Sequence, residues 1–178
     1  MIEQFLKPAA VDEAVHLKRQ YGDKAVFMAG GSKLNAAPTR TDKNVAISLA
    51  GLRLDALAVE DGQLRLGATL TLQQLIDDPR VPAALREAAG FVYSRNLRNQ
   101  ATLGGEVCAK QDEAVLAPVL LALDAQLVYA GGAVVAFERF LAGGADSADA
   151  LLLAVLLPDP TRPCVTRKVA RSAAGLRV

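Results

Sequence analysis

Short apolar runs, each broken by glycine, proline or charge, organise this chain. Ile2–Leu6 predicts a strand ended by Pro8. Val11, Ala14 and Val15 then share one helical face, which predicts a helix over Val11–Tyr21. Asp12 and Glu13 fall in its first turn and Lys18 and Arg19 near its end, as the helix dipole favours; Gly22 stops it. Lys24–Met28 predicts a buried strand, Val45–Leu49 another strand, and Leu34–Ala37 a helical turn stopped by Pro38. Beyond residue 50 the pattern changes. Ala56–Val59 and Gln63–Leu66 flank Asp61-Gly62, a hairpin signature, and Gln126–Ala130 and Val134–Phe137 flank Gly131-Gly132 in the same way. Leu70–Ile76 predicts a short helix. Pro82 suits the first turn of the next, whose buried face is Leu85, Ala88, Ala89 and Val92. Glu113–Leu123 is apolar on nearly every face and predicts a buried helix, with Pro118 either kinking it or near its start. Ala150–Leu157 and Arg167–Val169 complete the set as strands, and Gly143–Ala150 is the stretch best suited to flexibility.

The resulting class is α+β with two lobes. A small α/β lobe covers residues 1–50, and a larger lobe with an antiparallel sheet and helices covers residues 51–178. With 52% hydrophobic residues the chain has enough for a core, and with 4% aromatics and no Trp that core must be built from Ala, Leu and Val.

A net charge of +1 argues against bulk nucleic-acid binding and against a membrane-surface patch. No apolar run is long enough to span a bilayer. The start, Met1-Ile2-Glu3, does not look secretory, so a cytoplasmic protein is expected and a disulfide between Cys108 and Cys164 is not. These two cysteines cannot build an iron–sulfur or zinc site by themselves. The one histidine, His16, lies on a predicted surface helix with no nucleophile motif beside it. No catalytic residue and no metal site are expected. Any catalysis would fall to a bound cofactor.

Two glycine pairs remain to be explained. Ala29-Gly30-Gly31-Ser32 follows the apolar run Ala25–Met28, and Ala101-Thr102-Leu103-Gly104-Gly105 follows a segment carrying Arg95, Asn96, Arg98, Asn99 and Gln100. Each pair reads as a strand running into a tight bend whose backbone N–H groups form a nest for anions, phosphate above all. Either pair alone reads more readily as a plain tight turn. Neither is a Walker A loop or a dinucleotide fingerprint, since Ser32-Lys33 runs in the wrong order and no Gly-x-Gly-x-x-Gly occurs there. Arg95, Arg98 and Lys33 each suit phosphate or plain solvent.

The order of these pieces resembles the FAD-binding domain (PCMH-type) of molybdenum hydroxylases, the medium subunit of the xanthine dehydrogenase and carbon monoxide dehydrogenase types. The likeness runs along essentially the whole chain. It includes Phe5, Lys7 and Pro8, the turn Ala29–Leu34, Ile47-Ser48-Leu49, Leu66-Gly67-Ala68-Thr69, and Lys168 with Arg171. Its most specific part is Arg98-Asn99-Gln100-Ala101-Thr102-Leu103-Gly104-Gly105. Among members, the chain is similar to the bacterial xanthine-dehydrogenase-like FAD subunit linked to a selenate reductase.

The resemblance implies FAD extended between the lobes. Its pyrophosphate would lie on Met28, Ala29, Gly30, Gly31, Ser32, Lys33 and Leu34. Ala101, Thr102, Gly104, Gly105 and Glu106 would close on it, and Lys168 would stand near the flavin. It implies an electron-transfer subunit of an FAD-dependent oxidoreductase, needing an iron–sulfur subunit and a molybdopterin-binding subunit, with NAD or another acceptor downstream. It also implies a further C-terminal domain, so a truncated chain is expected. Three departures stand out: Ser32-Lys33 replaces Thr-Asp, Glu106 replaces Asn, and Val115 replaces an Asp that contacts flavin. Glu106 would repel phosphate unless Arg98, Lys33 or Lys110 offsets it. These departures motivate one alternative, a scaffold of the same fold that has lost FAD; a separate alternative, an unrelated nucleotide-binding domain, needs the likeness to be coincidental.

Overall fold

The structure is a computed structural model that describes residues 2–34, 41–92, 94–111, 114–143 and 150–169. Two sheets carry the fold. In the first, β1 (Gln4–Leu6), β2 (Ala25–Met28) and β3 (Val45–Ser48) run parallel in the order β1-β3-β2. β3 is buried at every position, which explains its unbroken Val-Ala-Ile run: a central parallel strand is covered on both faces. The crossover from β1 to β2 is α1 (Val11–Tyr21), with the predicted bounds. Its N-terminus is closed by Glu13, whose carboxylate accepts the Ala9 N–H at 2.7 Å. Lys18 does not face water near the helix end. It is buried, and its Nζ donates to the carbonyls of Gly22 (2.9 Å) and Ala25 (3.1 Å), tying the end of α1 to the start of β2.

The second sheet is antiparallel, ordered β4-β5-β8-β6-β7, from β4 (Leu57–Glu60), β5 (Gln63–Gly67), β6 (Gln126–Tyr129), β7 (Val134–Ala136) and β8 (Leu152–Leu157). Both predicted hairpins form. Asp61 and Gly62 take φ of 50° and 77°, so both central residues are left-handed, the turn that fits the strand twist. Helices α2 (Leu72–Asp77), α3 (Ala83–Gly90), α4 (Arg95–Gln100), α5 (Leu103–Cys108), α6 (Ala117–Ala122) and α7 (Phe137–Leu141) accompany this sheet. The main core gathers Leu66, Leu75, Leu85, Leu103, Leu120 and Leu127 beneath it. A smaller core, with Ala14, Val45, Ile47 and Leu49, lies on the parallel sheet and also takes in Leu151 from late in the chain.

Four expectations change. Phe137 opens α7 and does not end a strand: its N–H bonds to the Ala125 carbonyl at 2.8 Å, and Phe137 and Phe140 enter the core together. The apolar segment before Leu123 is a short helix with Pro118 near its start. Leu121 is 38% exposed, so only one face is buried; Glu113 lies outside the described residues. Arg167–Val169 forms no strand; Val165 and Val169 are 94% and 91% exposed, so no neighbouring surface stabilises an extended ladder there. Pro82 precedes α3 as its cap and is not part of its first turn. The predicted turn at Leu34–Ala37 and the stretch Gly143–Ala150 fall largely outside the described residues.

Candidate functional site

The first glycine pair leaves β2 in a half-exposed bend. The Met28 carbonyl accepts the Leu49 N–H at 2.9 Å and fixes the end of the strand, and Gly31 takes φ 72°. No acceptor among the described residues takes the backbone N–H groups of Gly30, Gly31 or Ser32. Donors left open on a bend are what an anion nest needs. Gly30 is held by contact: a Cβ there would lie 1.6 Å from the Gln100 carbonyl oxygen.

The second glycine pair is built differently from the predicted bend. It lies inside α5, and helix α4 precedes it. Thr102 caps α5, its hydroxyl accepting the Gly105 N–H at 3.2 Å. Leu103 N–H bonds to the Leu70 carbonyl at 2.8 Å, Gly104 N–H to that of Ala68 at 2.8 Å, and Glu106 N–H to that of Thr102 at 2.9 Å. These amides are consumed internally and form no open nest. Gly104 is small because a Cβ would stand 2.8 Å from the Ala68 oxygen. Arg98 is likewise structural: Nε donates to Gln73 Oε1 at 2.9 Å and Nη1 to the Val92 carbonyl at 2.7 Å, locking α4 to α2.

The two segments nevertheless meet. A cleft of about 550 Å3 is lined by Ala29 and Gly30 from the first and by Asn96, Asn99, Gln100 and Thr102 from the second. Its remaining wall is Ala50, Arg53, Asp55, Thr69, Thr71 and Gln74. The floor is rigid. Thr71 and Gln74 form a reciprocal capping box on α2, and Thr71 bridges Thr102 across the two segments. The lining combines small apolar residues with amides, hydroxyls, the Arg53 guanidinium and the Asp55 carboxylate, donors and acceptors that can hold a hydroxyl-rich ligand.

Lys33 Nζ stands 3.3 Å from Glu106 Oε1 and also donates to Gln111. Two of the three departures thus pair with each other, and Lys33, not Arg98 or Lys110, offsets Glu106. Lys110 lies over the Phe140 ring at 4.2 Å. Val115 packs against the main core. Met28, Ser32 and Leu34 flank the first bend; Ala101, Gly104 and Gly105 support the second wall. Lys168 is half-buried on the irregular segment after β8 and is not among the described residues that line the cleft. Of the cleft lining, Ala50, Arg53, Asp55, Thr69, Thr71, Gln74, Asn96, Asn99 and Gln100 lie outside the site residues expected from the sequence. The spacing Thr71-x-x-Gln74 does announce a capped helix there, but not that it faces a ligand space.

Among the described residues that line the cleft there is no serine, histidine or cysteine. His16 is exposed on α1, Cys108 and Cys164 are free thiols, and among the described residues no cluster of three or more His, Cys, Asp and Glu could hold a metal ion. Among the same residues no helix is long and apolar enough to cross a membrane.

A family profile described as the FAD binding domain in molybdopterin dehydrogenase matches residues 1–160. The chain is 56% identical over 178 residues, all of its length and 68% of the relative's, to the protein YgfM of Escherichia coli K12. It is 42% identical over 83 residues to the xanthine dehydrogenase FAD-binding subunit of Escherichia coli O157:H7, covering 45% of this chain and 28% of that one. Among solved structures, quinoline 2-oxidoreductase from Pseudomonas putida 86 superposes with a TM-score of 0.85 at 22% identity, over 98% of this chain and 65% of that one, which shows a shared fold.

Proposed function

This chain belongs to the family of FAD-binding domains in molybdopterin dehydrogenases, and on that footing we propose that it holds FAD as the electron-transferring component of a molybdenum hydroxylase-type complex. The observation that carries the reading is the shared cleft. Open donors at Gly30, Gly31 and Ser32 suit a pyrophosphate, and the amides of Asn96, Asn99 and Gln100 suit the sugar and ribityl hydroxyls of a dinucleotide. The residues present therefore fit the cofactor. When bound, FAD supplies the redox chemistry, accepting electrons and passing them on. The chain supplies position. α4 and α5 hold the amide wall still, the first bend offers backbone donors, and the Lys33–Glu106 pair keeps the neighbourhood close to neutral.

Partners follow from the same reading: an iron–sulfur subunit upstream, a molybdopterin-binding subunit where substrate is oxidised, and NAD or another acceptor downstream. The rival reading, a scaffold that has lost FAD, rests on Glu106, Lys33 and Val115. The Lys33–Glu106 ion pair supports the first reading by offsetting the buried carboxylate, and Val115 remains a ground for the second. Titrating FAD into the purified chain tests the proposal. Quenching of flavin fluorescence at micromolar protein is expected. Persistent free-flavin fluorescence, together with assembly into a complex that lacks flavin, would establish the scaffold instead. Reduction of the bound flavin by a co-purified iron–sulfur subunit tests the electron route.

A further inference from the structure

β2 and β3 are neighbouring parallel strands, with Met28 paired to Ser48, and the segments that leave their carboxyl ends both line the cleft. The first glycine bend leaves β2, and the turn that carries Ala50, Arg53 and Asp55 leaves β3. Parallel sheets bind ligands beyond such strand ends. Arg53 is the one cation among the described residues that line the cleft. Its side chain is exposed and takes part in no hydrogen bond or ion pair among the described residues. Its backbone is left-handed, with φ 51°, a region that glycine adopts freely and arginine seldom does. The chain is pinned on both sides of it: Leu52 N–H bonds to the Leu49 carbonyl at 3.1 Å, and the Leu54 carbonyl accepts Thr69 N–H at 2.9 Å. A long, charged, unengaged side chain on a backbone that suits glycine is of no use to the fold and is placed where a ligand can use it.

Resting on the reading that FAD occupies this cleft, we infer that Arg53 is the side chain that grips the cofactor's pyrophosphate, together with the open amides of the glycine bend. A guanidinium fork matches two phosphate oxygens at once. The other charged group of the described lining, the Asp55 carboxylate, suits sugar hydroxyls instead. Without Arg53, the charge left among those residues is Asp55 alone, which repels phosphate. Arg53 therefore separates phosphate-bearing ligands from their phosphate-free relatives.

The experiment compares the native full chain with Arg53→Gly and Arg53→Lys. Each is titrated with FAD, with ADP, which has the pyrophosphate but no flavin, and with riboflavin, which has the flavin but no phosphate. Thermal midpoints are recorded alongside. Arg53→Gly suits the left-handed backbone, so its midpoint should stay level. It should weaken FAD and ADP about tenfold at low ionic strength, with the gap shrinking as salt is added, and leave riboflavin unmoved. Arg53→Lys keeps the charge without the fork and should fall between the two. Equal FAD and ADP affinities in native chain and Arg53→Gly would overturn the inference. So would a loss shared by riboflavin and joined to a lowered midpoint, which would make Arg53 a support of the fold. ADP binding that depends on Arg53 in a chain that takes neither flavin would leave the phosphate grip standing and sink the cofactor reading. A native chain that binds none of the three sinks both.

Discussion

Gly30→Ala is the substitution for which the structure makes the sharpest demand. The added methyl would sit 1.6 Å from the Gln100 oxygen and 2.7 Å from its carbonyl carbon, where ordinary contact begins near 3.4 Å. Gln100 cannot withdraw. It ends α4, and the residues after it are fastened: the Ala101 carbonyl accepts from Leu72 N–H at 2.9 Å, and Thr102 bridges Thr71. Ala29–Gly31 must therefore move away, and with it one lip of the cleft. Overpacking against a fixed backbone costs about 1–3 kcal/mol. For a domain of this size that lowers the thermal midpoint by roughly 2–4 °C per kcal/mol, so about 4–8 °C for a mid-range cost. FAD affinity should fall about tenfold or more as the open amides leave their place. The assay is differential scanning fluorimetry paired with flavin titration, and Gly90→Ala is the control. Gly90 ends α3, and nothing stands within 4 Å of its would-be Cβ, so that change should leave FAD binding alone and the midpoint level or slightly higher. An alanine at position 30 that melts and binds like the native chain would refute the close approach and the reasoning built on it.

Other outcomes follow from the same geometry. Arg98→Lys keeps the charge but loses the fork to Gln73 and Val92, so denaturant melts should show a loss of about 1.5–3 kcal/mol. Were Arg98 a phosphate ligand, FAD affinity would fall with stability left intact. Leu127→Ala opens a hole in the middle of β6 at a fully buried position and should cost about 2–5 kcal/mol in the same melts. The side-chain bond from Arg80 holds the Asp78 carboxyl below its ordinary value of 3.8. A depressed folded value means stability present above about 3.8 and lost as pH falls through the folded value. Asp78→Asn should remove that acid-side slope from stability–pH curves, by less than about 1 kcal/mol because the pair is at the surface.

Much of this protein is local and was therefore readable. Helix α1, the Asp61-Gly62 and Gly131-Gly132 turns and the amphipathic face of α3 depend on neighbours a few residues away, and a chain segment carries that information by itself. The string around Arg98–Gly105 also placed the chain near its family. What a glycine is for was not local. Gly30-Gly31 and Gly104-Gly105 look alike in sequence. Yet one pair leaves its amides open against Gln100, while the other spends them inside a helix against Ala68 and Thr102. Likewise the sequence offered Arg98, Lys33 and Lys110 alike as offsets for Glu106, and only folding set Lys33 3.3 Å from it. The insertion of β8 between β5 and β6, and of β3 between β1 and β2, was equally hidden. The physical reason is the same in each case. A backbone donor, a buried charge or a strand edge acquires its meaning from the group standing opposite, and here that group comes from a distant part of the chain.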